Sequence, residues 1–414
     1  MKLSLFLLSL GAMATLVAAP TVSVDAVAVS PDGRGLTVDY TVAGDYAIVT
    51  PGILVSDGNG GYVSVADKHM VGVYGEINRC VDASSHSFTW IPGADFPRAT
   101  KDVRVRLTAW SRSAPPDYMA VDLDFAEVRF YTSAEAVPGG PDDVRYKTSV
   151  LLMRKIPAAG VSWKMGSPTS EKGRDANLEK QHTVTFTNDY YCAIFPVTQG
   201  QYRRAVGSTP PSSNPKNDNT QDVPANAFSW DVIRGAGTHG GDYEWPAKDH
   251  AVAPASPIGK FRAKVGQAIE FDLPTDAQWE YACRAGTATA WSNGENTTNR
   301  LDEIAWWKDN AGNLTQPVGR KKPNRWGIYD MHGNVFEYVL DYYVNPMPCV
   351  DETEPKGPDW EHSSQSGYRL CRGGNALDEW GISRSACIQA CKPDYDHRRY
   401  GFRLFAPAIY NGTK

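Results

Sequence analysis

The stretch Trp326–Asp341, read as Trp-Gly-Ile-Tyr-Asp-Met-His-Gly-Asn-Val-Phe-Glu-Tyr-Val-Leu-Asp, constrains this chain more than any other part of it. Asp330 and Glu337 offer hard carboxylate oxygens, Gly333 lets the backbone turn between them, and the intervening carbonyls can point inward. Such a segment is either a calcium loop or an ordinary turn with surface carboxylates. It is not an EF-hand, because the spacing D-x-x-G-x-x-x-E lacks that motif's alternating acidic ligands. Both readings need irregular backbone, and the composition agrees. With 37 glycines, 28 prolines, 12 tryptophans and 20 tyrosines, and few long amphipathic periods, the chain favours a loop-rich fold over a helical bundle.

A length of 414 residues suffices for two or three domains. The balance of 42 Lys plus Arg against 47 Asp plus Glu is mildly acidic, which argues against a nucleic-acid partner. Arg320-Lys321-Lys322 with Arg325 reads as a solvated loop face. Met1-Lys2, an apolar run from Leu3 to Val17 and the small pair Ala18-Ala19 read as a signal peptide over residues 1–19. No later segment is apolar enough to span a bilayer, so the expected product is secreted or periplasmic, without a transmembrane anchor. Export would permit disulfides among the seven cysteines, leaving at least one over.

Alternating runs between residues 20 and 132 predict an antiparallel β-sandwich. They include Thr21–Val29 and Leu36–Val42 around the turn Ser30-Pro31-Asp32-Gly33, and end with Val128–Tyr131. Cys80, His69 and His86 are scattered there and read as structural or surface residues. Residues 133–146, with Pro138-Gly139-Gly140-Pro141, read as a linker. A second domain follows over 147–408, and 409–414 form a tail. Within that domain Thr198 and Thr275 are placed to cap short helices over Val197–Val206 and Asp276–Arg284, whereas 208–226 and 235–257 read as long loops.

Five ordered motifs between about residues 145 and 408 resemble the formylglycine-generating enzyme family, also called sulfatase-modifying factors. They are Trp163-Lys164-Met165-Gly166-Ser167; Pro196-Val197-Thr198-Gln199-Gly200-Gln201-Tyr202; Leu273-Pro274-Thr275-Asp276-Ala277-Gln278-Trp279-Glu280-Tyr281-Ala282; the Pro317–Tyr338 run containing the opening stretch; and Arg372-Gly373-Gly374-Asn375 with a closing Gly401-Phe402-Arg403. The resemblance implies an α+β protein: the sandwich, then a loop-rich mixed α/β domain related to C-type lectins. It also implies a calcium ion on the Asp330 side chain, the Gly333 and Val335 carbonyls and the Glu337 side chain. For the family's second calcium site only Asn310 remains as a candidate, because Asn310–Thr315 lacks the expected acidic ligand.

The family's oxidases convert a sulfatase cysteine to formylglycine with copper held by two cysteines, five positions apart, just after Arg-Gly-Gly. Thiolates suit copper(I) because both are soft. Here those positions hold Asp378 and Ser383 or, aligned backward from Pro393-Asp394, Asn375 and Trp380. Copper is therefore not expected, nor is the standard oxidase reaction on a sulfatase partner, which stands as the alternative function. Cys387 and Cys391 are the remaining catalytic or metal candidates; on a helix they would share a face, but their register is wrong for the family site and structural or disulfide roles suit them better, with Cys371 a partner for either. The iron-dependent branch of the superfamily needs an H-x-x-x-H-x-E cluster that is absent. Residues 375–400 resemble the displayed region of lectin-fold binding proteins. Asp378, Trp380, Tyr395, His397 and Tyr400 are the candidates there to contact a carbohydrate or protein ligand, or else they are ordinary loop and core residues.

Overall fold

A computed structural model describes residues 19–30, 34–57, 59–66, 70, 72–92, 103–211, 220–235, 245, 252–355, 357 and 367–413. The expected signal peptide, the turn at 31–33, His69 and parts of both long loops lie outside the described residues.

The first unit is built of strands β1 (Thr21–Val29), β2 (Leu36–Ala43), β3 (Ala47–Ser56), β4 (Tyr62–Ser64), β5 (Val73–Gly75), β6 (Arg79–Val81), β7 (Ser85–Trp90) and β8 (Val103–Trp110). They form two antiparallel sheets, ordered β1-β2-β7-β5 and β4-β3-β6 with β8 paired to β3. The alternation in β2 explains the layering, because Leu36, Val38, Tyr40 and Val42 point inward while the residues between them face out or lie at the margin. They pack with Ile53, Phe88 and Trp90. His86 is buried and bonded to Glu76 and Ser84, a structural residue as expected.

The hairpin β9 (Tyr118–Asp122) and β10 (Glu127–Tyr131) does not belong with these sheets. The strand expected at Val128–Tyr131 is present, but it is the outer strand of the second unit's sheet. That sheet runs β10-β9-β11-β14-β22, with β11 (Val150–Ile156), β14 (Tyr190–Ala193) and β22 (Phe405–Pro407). The reason is side-chain burial: β9 pairs with β11 in the register Val121↔Leu151 and Met119↔Met153, which places all four in one core with Phe130. The Phe130 N–H donates to the Asn78 carbonyl at 2.7 Å and so ties the units together. Residues 133–146 do not act as a loose spacer. Val137 and Tyr146 are buried against Phe195 and Val318, and Asp143 caps a short 3₁₀ turn at Val144–Lys147. The tail also packs, with the Tyr410 ring 5.2 Å from that of Phe130.

Between these strands lie β12 (Ser162–Met165) and β13 (His182–Thr185), then helices α1 (Gln199–Val206), α2 (Trp230–Arg234), α3 (Pro257–Lys264), α4 (Asp276–Arg284) and α5 (Lys308–Ala311). Thr198 and Thr275 cap α1 and α4, each reciprocated by a glutamine three residues on, Gln201 and Gln278. The strands β15 (Ala305–Trp306), β16 (His332–Gly333), β17 (Phe336–Tyr342), β18 (Glu352–Thr353), β19 (Arg369–Arg372), β20 (Gln389–Cys391) and β21 (Tyr400–Gly401) follow. A second sheet, β20-β19-β17-β21, carries the loops that matter below. Among the described residues no helix is long and apolar enough to cross a membrane.

Candidate functional site

The opening stretch enters β17 through four residues with positive φ, Gly327 at 76°, Asp330 at 56°, Gly333 at 81° and Asn334 at 64°. Gly333 is required sterically, because a Cβ there would lie 1.9 Å from the Trp306 carbonyl oxygen. Asp330 is buried; its Oδ2 accepts from the Gly319 N–H at 2.8 Å, and its Oδ1 has no hydrogen-bond partner. Burial pushes its carboxyl up to about 6, against the Gly319 hydrogen bond and the Arg403 charge. Glu337 is occupied differently. Its carboxylate receives Arg403 through Nη2 on Oε1 at 2.7 Å and Nε on Oε2 at 3.0 Å, and Trp279 Nε1–H on Oε2 at 2.7 Å.

Asp330 thus fits a cation's demand for a spare oxygen, but Glu337 does not, because both of its oxygens are taken. Asn310 does not fit either: its amide caps α5 through Trp307 N–H at 2.9 Å and donates to Asp302 Oδ1 at 2.7 Å. Among the described residues no group of three or more His, Cys, Asp or Glu stands together in a metal-holding arrangement. The Arg403 guanidinium supplies the positive charge beside the Glu337 carboxylate. Chelation with EDTA is accordingly expected to move the melting temperature by less than about 2 °C. A calcium-dependent rise of roughly 5 °C or more, abolished in Asp330→Asn, would show instead that an ion competes with Arg403.

At the positions expected for copper thiolates, the structure holds oxygen and amide groups. Asn375 Nδ2 donates to Asp378 Oδ2 at 2.6 Å, and Arg399 Nη1 lies 3.2 Å from Asp378 Oδ1. Ser383 Oγ bonds the Trp380 carbonyl at 2.8 Å, and the Ser383 carbonyl accepts from His332 Nδ1 at 2.7 Å. Burial pushes His332 down to about 4, so the ring is a neutral strut between two loops. Cys387 and Cys391 do not share a helix face. Cys391 lies on β20 in a disulfide with Cys371 of β19, and Cys387 is buried, its thiol pushed up to about 11. Neither is poised as a nucleophile.

The structure sorts the five candidate contact residues into two groups. Tyr395 and His397 stack with centroids 5.9 Å apart and planes 7° from parallel. Tyr400 meets both at 6.2 and 6.5 Å and is backed by Tyr338 at 5.3 Å. Arg399 ties this cluster to Asp378. Tyr395 is 48 % exposed, so the cluster presents an open aromatic face with a charged edge. Trp380 stands apart, 6.0 Å from Trp291 with the Lys172 ammonium above it.

Residues 156–408, more than half of the chain, match the Sulfatase-modifying factor enzyme 1-like domain. The chain belongs to the sulfatase-modifying factor family. It is 37% identical over 115 residues to Chaperone protein LppX of Paenibacillus barcinonensis, covering 22% of this chain and 39% of that protein. It is 28% identical over 148 residues to the Formylglycine-generating enzyme of Mus musculus, covering 32% of this chain and 38% of that enzyme. The match therefore spans about two fifths of either relative. Treponema denticola variable protein 1 superposes with a TM-score of 0.49 at 23% identity, covering 62% of this chain and 95% of that one.

The sulfatase-modifying factor motifs identified in the sequence meet in space in a way their order does not announce. The Arg of Gly-Phe-Arg closes on the Glu of the opening stretch, and Trp279 of the α4 motif joins them. Arg372 of Arg-Gly-Gly reaches Asp276 of α4 through Nη2 on Oδ2 at 2.6 Å and lies 3.1 Å from Glu280. Sequence reasoning missed Arg399, whose only signal was its place in the polar-aromatic loop.

Proposed function

We propose that this sulfatase-modifying factor relative is an exported binding protein that holds a carbohydrate on the face made by Tyr395, His397 and Tyr400. The near-parallel Tyr395–His397 stack, with Tyr395 exposed and the Arg399–Asp378 pair beside it, carries this reading. A flat aromatic surface takes the C–H face of a sugar ring with little side-chain entropy to lose, and the charged edge meets hydroxyl groups. Tyr338 and Phe336 back Tyr400 from the core, so the platform is formed before a ligand arrives. Copper chemistry on a sulfatase is not the reading supported here, because Asp378 and Ser383 are hard oxygen donors engaged by Arg399, Asn375 and Trp380. Export and a secreted or periplasmic location belong to the same proposal and rest on residues 1–19. An array of immobilised glycans tests it. Saturable binding that disappears in Tyr395→Ala supports the reading; binding only to proteins, or to glycans equally in wild type and variant, overturns it.

A further inference from the structure

A cavity of about 590 Å³ opens at the N-terminus of α4, sharing no residue with the aromatic face. Its volume suits a small organic ligand. Met165, Leu178, Ala277, Val344, Met347 and Pro348 give it apolar walls. Five carboxylates also line it, against the cations Arg372 and Lys180. Most of these carboxylates have a cation of their own. Asp276 is held by Arg372, Glu280 by Arg284 and Arg372, and Glu179 by Arg384, while Glu352 is exposed.

Asp341 differs. It is 2 % exposed at the end of β17, and its Oδ2 accepts the Asp276 N–H at 2.7 Å. Among the described residues no Lys, Arg or His pairs with it, and Oδ1 has no hydrogen-bond partner. Gly357, at φ +72°, lies against that oxygen, and a Cβ there would stand 2.1 Å from it. A buried carboxyl with one open oxygen, in a largely apolar chamber and with no ion-pair partner among the described residues, leaves that place to a cationic ligand.

We infer that the cavity binds a small organic cation, a primary ammonium on an apolar body, with the ammonium against Asp341. Burial, with the Asp276 carboxylate beside it, raises the Asp341 carboxyl well above the ordinary range, against the charges of Arg372 and Arg369. The titratable groups around it are Asp276 and Glu280 from α4 and Arg372 and Arg369 from β19; Glu179, Lys180 and His182 come from the β12–β13 hairpin, Cys349 from the loop after β17 and Glu352 from β18. The bound ammonium donates to the open Asp341 oxygen and pairs with its carboxylate; no covalent bond changes.

Calorimetric titration of the full chain near pH 7.5 with butylamine and phenethylamine, against butanol and phenethyl alcohol, tests this. Amines are expected to bind at least about tenfold tighter than the alcohols, and Asp341→Asn to remove that preference. The variant keeps an oxygen for the Asp276 N–H, and if it fails to fold, the amine-against-alcohol comparison in the wild type still decides. No saturable amine binding, or equal binding of amine and alcohol, overturns the inference.

Discussion

Replacing Arg403 by methionine is expected to destabilise the second domain by about 3–5 kcal/mol, because it leaves the buried Glu337 carboxylate without its counter-charge. Arg403 is fully buried and joins three segments. It holds Glu337 of β17 at 2.7 Å and donates to the carbonyls of Ala193 in β14 and Tyr329 in the opening stretch, each at 2.9 Å. At about 2–4 °C per kcal/mol for a domain of this size, the melting temperature falls by roughly 10 °C. The double variant Arg403→Met, Glu337→Gln should recover a large part of the loss, since no buried charge then stands alone. A loss below about 1 kcal/mol in the single variant would mean that Glu337 has another partner, a bound cation being the first to test.

On the aromatic face, Tyr395→Ala and His397→Ala are each expected to weaken glycan binding by about tenfold or more, as substitutions at rigid aromatic anchors do. Fold and binding separate cleanly there. Tyr395 is half in solvent, so its loss should leave the melting temperature within about 2 °C of wild type. Tyr400 is packed on Phe336 at 5.6 Å and on Tyr338, so Tyr400→Ala should lower stability as well, and Tyr400→Phe serves as the control that keeps the ring. Burial and the charges of Arg399 and Arg398 hold His397 below the ordinary histidine value, so its ring is neutral and binding should be flat between about pH 7 and 8. A full-strength Tyr395→Ala variant would move the ligand site elsewhere.

What the sequence discloses and what it conceals divide by the range of the interaction. The caps at Thr198 and Thr275 are local, each a side chain meeting a backbone N–H three residues on, so α1 and α4 are legible to within a residue or two. The strand at Val128–Tyr131 is legible, but its partner β9 is not, and the membership of the pair depends on β9 pairing with Leu151, a long-range choice made by burial. The same holds for Cys371. Sequence leaves its partner open, and the structure joins it to Cys391 of the neighbouring strand β20 while Cys387 stays a buried free thiol. Asp330 and Glu337 read as equivalent carboxylates until Arg403, 66 residues beyond Glu337, takes one of them. Trp380 reads as a companion of Tyr395, whereas its packing against Trp291 sends it to another face.

Copper retention coupled to peptide chemistry tests the account most directly. The purified mature chain would be equilibrated with copper(I), desalted, assayed for metal, and incubated aerobically with a sulfatase peptide whose cysteine is followed by mass spectrometry. The account predicts no stoichiometric copper and an unchanged cysteine, since Asp378 and Ser383 supply no thiolate, Cys391 is held in a disulfide and Cys387 is buried. One copper per chain, with conversion of the peptide cysteine to its aldehyde, would contradict it and return this protein to the oxidases of its family.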